Sequence, residues 1–388
     1  MAERGLGVRA LARHVPCDPA LISRLASGRQ QPSEQIARRL DEVLAADGEL
    51  ADLALTASDP GTAFDDELGA IEAARRAGAS EVGRVTVQRL EQAVDDLAVA
   101  YPSTAPAKLL SRTGAYLAYS TGLLGRKMTL AEHRRLLVTS GWLSLLAATS
   151  LIDLRRYGPA GAYLTTAGQM AGEAGHPELS AWCVETRAWV AITSGHYVRA
   201  ASLARSAQGL APRGSSAMIQ ATAQEGRAWA RLGESRETRD ALARVEALVS
   251  PLPVPSQPEH HYRYDPAKAE AYVATTLSWL GDPAAVDIAR AVLAKMESPA
   301  DPRPRRAVAA RIDLALALAG AGKQDEAAGL TLEAITSPYL VPSNYWRAEE
   351  VIAAVESSDP HASLVLREAI TARRHALPAA GIPPRTAL

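Results

Sequence analysis

The feature that most constrains this 388-residue chain is a short turn recurring between amphipathic, alanine-rich helices. The turns are Arg156-Tyr157-Gly158, Gly195-His196-Tyr197, Gly233-Glu234-Ser235, Gly281-Asp282-Pro283 and Gly322-Lys323-Gln324, spaced roughly 38 to 48 residues apart. A helix pair of that length cannot bury its own apolar face and must stack on its neighbour, so an all-α repeat array is expected rather than one compact core. Seven residues before the turns stand Thr149, Ala188, Gly226, Ala274 and Ala315; five residues after their first positions stand Gly161, Ala200, Thr238, Val286 and Ala327. Small side chains there let facing helices approach closely. Only 5% of the residues are aromatic, and Ala, Leu, Arg and Glu dominate, all strong helix formers.

The spacing of breaks divides the chain. Ser58-Asp59-Pro60-Gly61 closes a head over 1–57, and a helical linker follows over 58–105, with Val87, Leu90, Val94, Leu97 and Val99 ending at Tyr101-Pro102. The array is expected over 106–375, with proline-rich inserts at 251–258 and 299–304, and a frayed tail over 376–388.

Several function classes lack their residues. The formal charge of −1 rules out a chain basic throughout, so nucleic-acid affinity requires a local patch. Cys17 and Cys183 match no metal spacing and read as reduced thiols of a cytoplasmic protein. The first residues hold no apolar core of signal-peptide length, and the apolar stretch 142–152 is too short to span a bilayer. Gly320-Ala321-Gly322-Lys323 imitates the end of a phosphate-binding loop, but Gln324 stands where a magnesium-binding hydroxyl would be and no strand precedes it. Adjacent His260 and His261 are followed by no His or Cys at i+3 or i+4, so neither a metal nor another cofactor is expected. No nucleophile elbow or metalloprotease motif occurs, and a non-enzymatic role follows.

The head reads as three short helices: 8–15 with Val8, Leu11, Ala12 and Val15 on one face, a second from Asp18 and Pro19 to Gly28, and a third opened by Ser33 and Glu34. Arg4, Arg9, Arg13, Arg24, Arg29, Arg38 and Arg39 make it mildly basic up to that third helix. The string VRALARHVPCDPALISRLASGRQQPSEQIARRLDEVL resembles the Xre, or lambda-repressor-like, helix-turn-helix of bacterial regulators. Such heads begin with a full helix before the segment matched by residues 2–6, so the first helix is expected to be truncated here. The resemblance makes 18–27 the recognition helix, with Ala20, Ser23 and Arg24 reading base edges and Arg29 and Gln30 touching phosphates. The segments WLSLLAAT, APRGSSAMIQATAQEGRAWARLG and VPSNYWRAEEV extend the likeness to bacterial proteins that join an Xre-type head to a tetratricopeptide-like domain.

In such an array the first helix of each pair lines the concave side. Trp182, Glu185 and Trp189 fall on one face of a first helix, Gln220 and Arg227 take corresponding places in the next repeat, and Lys268 in the one after. Two indoles, a carboxylate, an amide and two cations suit an effector with an apolar body and ionised ends, and 259–265 could close over that groove. Two readings follow: a dimeric transcription factor that binds double-stranded DNA under control of a small-molecule, peptide or protein effector, or an adaptor whose head no longer binds DNA. The array of either would be free of any membrane.

Overall fold

The computed structural model describes residues 6–15, 17–56, 67–71, 81–253, 257, 259–299 and 303–376. The chain is all-α, with no strand among the described residues, and it forms two compact units, residues 1–77 and 78–388.

The first unit holds α1 (Val8–His14), α2 (Pro19–Ala26), α3 (Glu34–Leu44) and α4 (Glu49–Thr56). Asp18 caps α2 by accepting from Ala20 N at 2.9 Å, and Ser33 caps α3 through Ile36 N. One apolar cluster, Leu11, Ala12, Val15, Ile22 and Leu40, with Leu25, Ile36, Val43 and Leu50 packed against it, holds the helices together. The fourth helix is an addition to the three expected: buried Asp41, on α3, accepts from Leu50 N at 3.2 Å and Ala51 N at 2.6 Å, supplying the cap that α4 lacks locally. The expected break at Ser58 to Gly61 and the leading residues 1–5 lie outside the described residues, as do 377–388 of the expected tail and the prolines Pro255 and Pro258 of the first insert.

The second unit begins with α5 (Arg84–Ala100) and α6 (Pro106–Leu123), followed by α7 (Leu130–Asp153) and α8 (Tyr157–Glu173), α9 (Pro177–Thr193) and α10 (Tyr197–Leu210), and α11 (Ser216–Leu232) and α12 (Ser235–Val249). It continues through α13 (Pro266–Leu280) and α14 (Ala285–Met296), α15 (Pro304–Gly320) and α16 (Gln324–Thr336), and α17 (Tyr345–Glu356) and α18 (Pro360–Ala376). Helix α5, expected in a linker, packs on α6 and α7 and so belongs to the array's unit. Each helix packs on the next in sequence, and α9, α11, α13, α15 and α17 also pack on one another in order. That is the stacking of consecutive helix pairs in a solenoid.

The five recurring turns join the two helices within a pair. The small residues before them are buried, and at Gly226 an added Cβ would lie 3.1 Å from that of Ala241, so the α11/α12 approach depends on the missing side chain. After the turns the expected register slips by one residue twice: buried Ala160 and Ala285 make the contact, not exposed Gly161 or half-buried Val286. The apolar stretch 142–152 is the second half of the longer α7, which has a mean hydropathy of 1.5 over an 18-residue window and is long enough to cross a membrane by composition alone; 83% of that window is buried inside the protein. It is a core helix.

Candidate functional site

In the first unit the residues expected to meet DNA share one accessible surface. Ile22 is the buried residue of α2, while Ala20, Ser23 and Arg24, at i, i+3 and i+4, are exposed, as are Arg29 and Gln30 in the turn that follows. Arg24 Nε donates to Gln30 Oε1 at 2.8 Å, so the turn steadies the guanidinium of the helix. Across 6–31, Arg9, Arg13, Arg24 and Arg29 face a single acid, Asp18, whereas the other acids of 6–56 lie on α3, α4 and the turn between them. Within residues 6–56 the positive charge is therefore concentrated on α1, α2 and the following turn, although the unit as a whole carries more acids than arginines.

In the second unit the first helices of successive pairs surround a cavity of about 240 Å³. Trp182, Glu185 and Trp189 of α9, Gln220 and Arg227 of α11, and Lys268 of α13 all line it. The site is more enclosed than the groove expected from sequence, because the array curves until α15 and the segment before α17 reach back to α7 and to Tyr101, which follows α5. Arg305 of α15 bonds Asp153 of α7 and the carbonyl and hydroxyl of Tyr101, and Ser343 Oγ donates to Asp153 Oδ1 at 2.9 Å. Arg305, Asp153, Tyr101, Tyr272, Asp313 and Arg347 are lining residues that sequence spacing did not single out. Tyr272 could have been found, since it follows Lys268 by four positions on the same helix face.

The loop at 259–265 forms part of the wall. His261 N donates to the Ala98 carbonyl, Tyr262 is buried edge-on to Trp182 at 5.3 Å between ring centroids, and His260 meets Asp95 at 3.0 Å. Burial and the nearby Lys268 hold the His261 imidazole well below its ordinary range, so it is neutral at pH 7. Asp265 caps α13 by accepting from Lys268 N at 2.8 Å.

Polar groups in the cavity are unevenly satisfied. Gln220 Nε2 donates to both Glu185 Oε1, at 3.0 Å, and Tyr272 Oη, at 2.7 Å. Arg227, only 8% exposed, has Nη1 on Gln224 Oε1 at 2.8 Å, while its Nε is buried without a partner. Its guanidinium lies between the rings of Tyr272 and Trp279. Lys268 Nζ donates to the His261 carbonyl at 2.9 Å and sits over Trp182. Burial raises the Glu185 carboxyl, against the Gln220 hydrogen bond and the charges of Lys268 and Arg227. Burial, with Arg306, lowers the Lys268 ammonium to about 8, against Asp265, Glu185 and Glu259.

No curated protein is found to be similar to the chain. A family model described as a helix-turn-helix domain matches residues 1–54, which take in α1, α2, α3 and most of α4. The chain therefore carries a helix-turn-helix domain at its N-terminus.

Proposed function

We propose that the chain is a DNA-binding transcriptional regulator of the Xre type, acting as a cytoplasmic homodimer, whose tetratricopeptide-like array binds an effector in the cavity and has no enzymatic activity. The observation that carries the reading is the face of α2: Ala20, Ser23 and Arg24 are exposed together, while Ile22 and Leu25 pack into the core. A helix committed to packing alone has no use for a turn residue such as Gln30 orienting its arginine. One short recognition helix offers few contacts, which favours a dimer reading two half-sites. The effector would act by binding one curvature of the helix-pair array better than another, since equal affinity for both shifts nothing.

The test is fluorescence anisotropy of the full chain against duplexes selected from a random pool and against DNA upstream of its own gene. Binding should weaken steeply with salt, and Arg24→Ala should cost about 1–3 kcal/mol at the best site and relax preference at one base pair. Absence of any salt-sensitive binding would overturn the reading and leave the adaptor.

A further inference from the structure

We propose that the cavity takes a small organic anion with an apolar or aromatic body, its acid group held between Arg227 and Lys268; this rests on the reading of the cavity as an effector site. The first support is charge balance. Three of the cavity's guanidiniums are answered by acids: Arg305 by Asp153, Arg347 by Asp313, and Arg306 by Glu259 at 3.4 Å and Asp265 at 3.6 Å. Arg227 and Lys268 have no carboxylate partner among the described residues; their hydrogen bonds go to an amide and to a main-chain carbonyl. Glu185 acts on both through its charge, as Asp265 and Glu259 do on Lys268 and Asp313 on Arg227, but none of these carboxylates forms a salt bridge with either cation among the described residues. Buried Arg227 and half-buried Lys268 are thus cations without a direct ionic partner, a cost that a bound anion lowers.

The second support is the set of unmet donors. Arg227 Nε and Trp182 Nε1 are buried without partners, and Lys268 Nζ makes one hydrogen bond where it can make three. Gln220 Oε1 and Glu259 Oε1 are the opposing cases, buried acceptors without a hydrogen-bond partner, while Arg347 Nε adds a further buried donor. Donors prevail, as a carboxylate or sulfonate requires.

Aromatic walls beside a carboxylate could instead suggest a cationic ligand. Here the rings are already occupied by cations of the protein: Arg227 lies 4.9 Å from the Tyr272 centroid and Lys268 lies 5.9 Å from that of Trp182. An ammonium ligand would have to sit beside both. The half-buried indole of Trp189 and the side chain of Ala271 leave an apolar surface for the body of the ligand.

The experiment uses the full chain and three matched end groups on each of three bodies: phenyl-, naphthyl- and indolylacetate, the corresponding acetamides, and the corresponding ethylamines. Isothermal titration calorimetry at pH 7 measures each affinity. In at least one series the acid should bind about tenfold or more tighter than the amide, the amine weakest, as a charge-assisted hydrogen bond demands. Lys268→Gln and Arg227→Met should each bring acid and amide to within about threefold of each other while circular dichroism stays that of the parent. The inference fails if acid and amide bind alike, if the amine binds tightest, or if both variants keep the parent's preference; the effector reading survives those outcomes with a ligand of another charge. If no member of the panel binds, the effector reading falls as well, whereas DNA binding is measured separately.

Discussion

The guanidinium carbon of Arg227 lies 4.6 Å from the centroid of the Trp279 ring, so the buried cation of the cavity is held by an aromatic face and an amide rather than by a carboxylate. A buried charge without an ionic partner does not pay for itself in stability unless something else requires it. Arg227→Met keeps most of the side-chain volume and removes the charge. Its unfolding free energy without ligand should stay within about 1 kcal/mol of the parent's or rise above it. Urea denaturation decides: a loss of about 3 kcal/mol or more would make Arg227 a structural residue.

The affinity of the cavity for an organic acid should fall as pH rises. Lys268, facing Arg306, Asp265, Glu185, Glu259 and His261, loses its proton around pH 8, and Glu185, raised by burial, also gains negative charge as its own proton leaves. Both changes remove positive charge from the site. Lys268 is about nine-tenths protonated at pH 7 and about one-tenth at pH 9. Titrations of the tightest organic acid at those two values should show weaker binding at the higher one, and an affinity that rises with pH would contradict the placement of the acid group.

Glu225 should make the array acid-sensitive. Burial acts to raise its carboxyl, but hydrogen bonds from Gln208, Arg244, Arg205 and Trp229 prevail and bring it to about 2 from an ordinary 4.5. A carboxyl depressed in the folded state contributes its stability above the unfolded value and loses it as pH falls through the folded one. The loss should therefore occur between pH 4.5 and about 2. Because Arg205 and Arg244 are 59% and 46% exposed, the ion-pair part is small and Glu225→Gln should cost about 1–2 kcal/mol at pH 7. The difference from the parent should vanish below pH 2, as thermal melts across that range would record.

Arg155 occupies the left-handed region, φ +59°, at the place in its turn where Gly195 and Gly322 stand in later ones. Its main-chain N–H bonds Ile152 O, as that of Gly195 bonds Ile192 O, and its side chain is exposed. Arg155→Gly removes the steric cost of that conformation and should stabilise the second unit by about 0.5–1 kcal/mol, even after the added freedom of the unfolded chain. A lower denaturation midpoint would refute it.

The amino-acid sequence by itself determined the elements, the pair turns and the inward faces of α9, α11 and α13. Helical period, caps such as Asp18 and Ser33, and glycine at left-handed turn positions are decided within a few residues, so Trp182, Glu185, Trp189, Gln220, Arg227 and Lys268 could be placed on one side from spacing and turn register alone. Tertiary structure decided whether that side is a groove or a cavity. Closure depends on the small rotation between successive pairs, added up over the array until Arg305 reaches Asp153, 152 residues earlier in the chain. No local pattern encodes such a sum, and α4 in the head is the same case in miniature: its N-terminus is completed by Asp41 from another helix, through contacts that exist only once the two are packed.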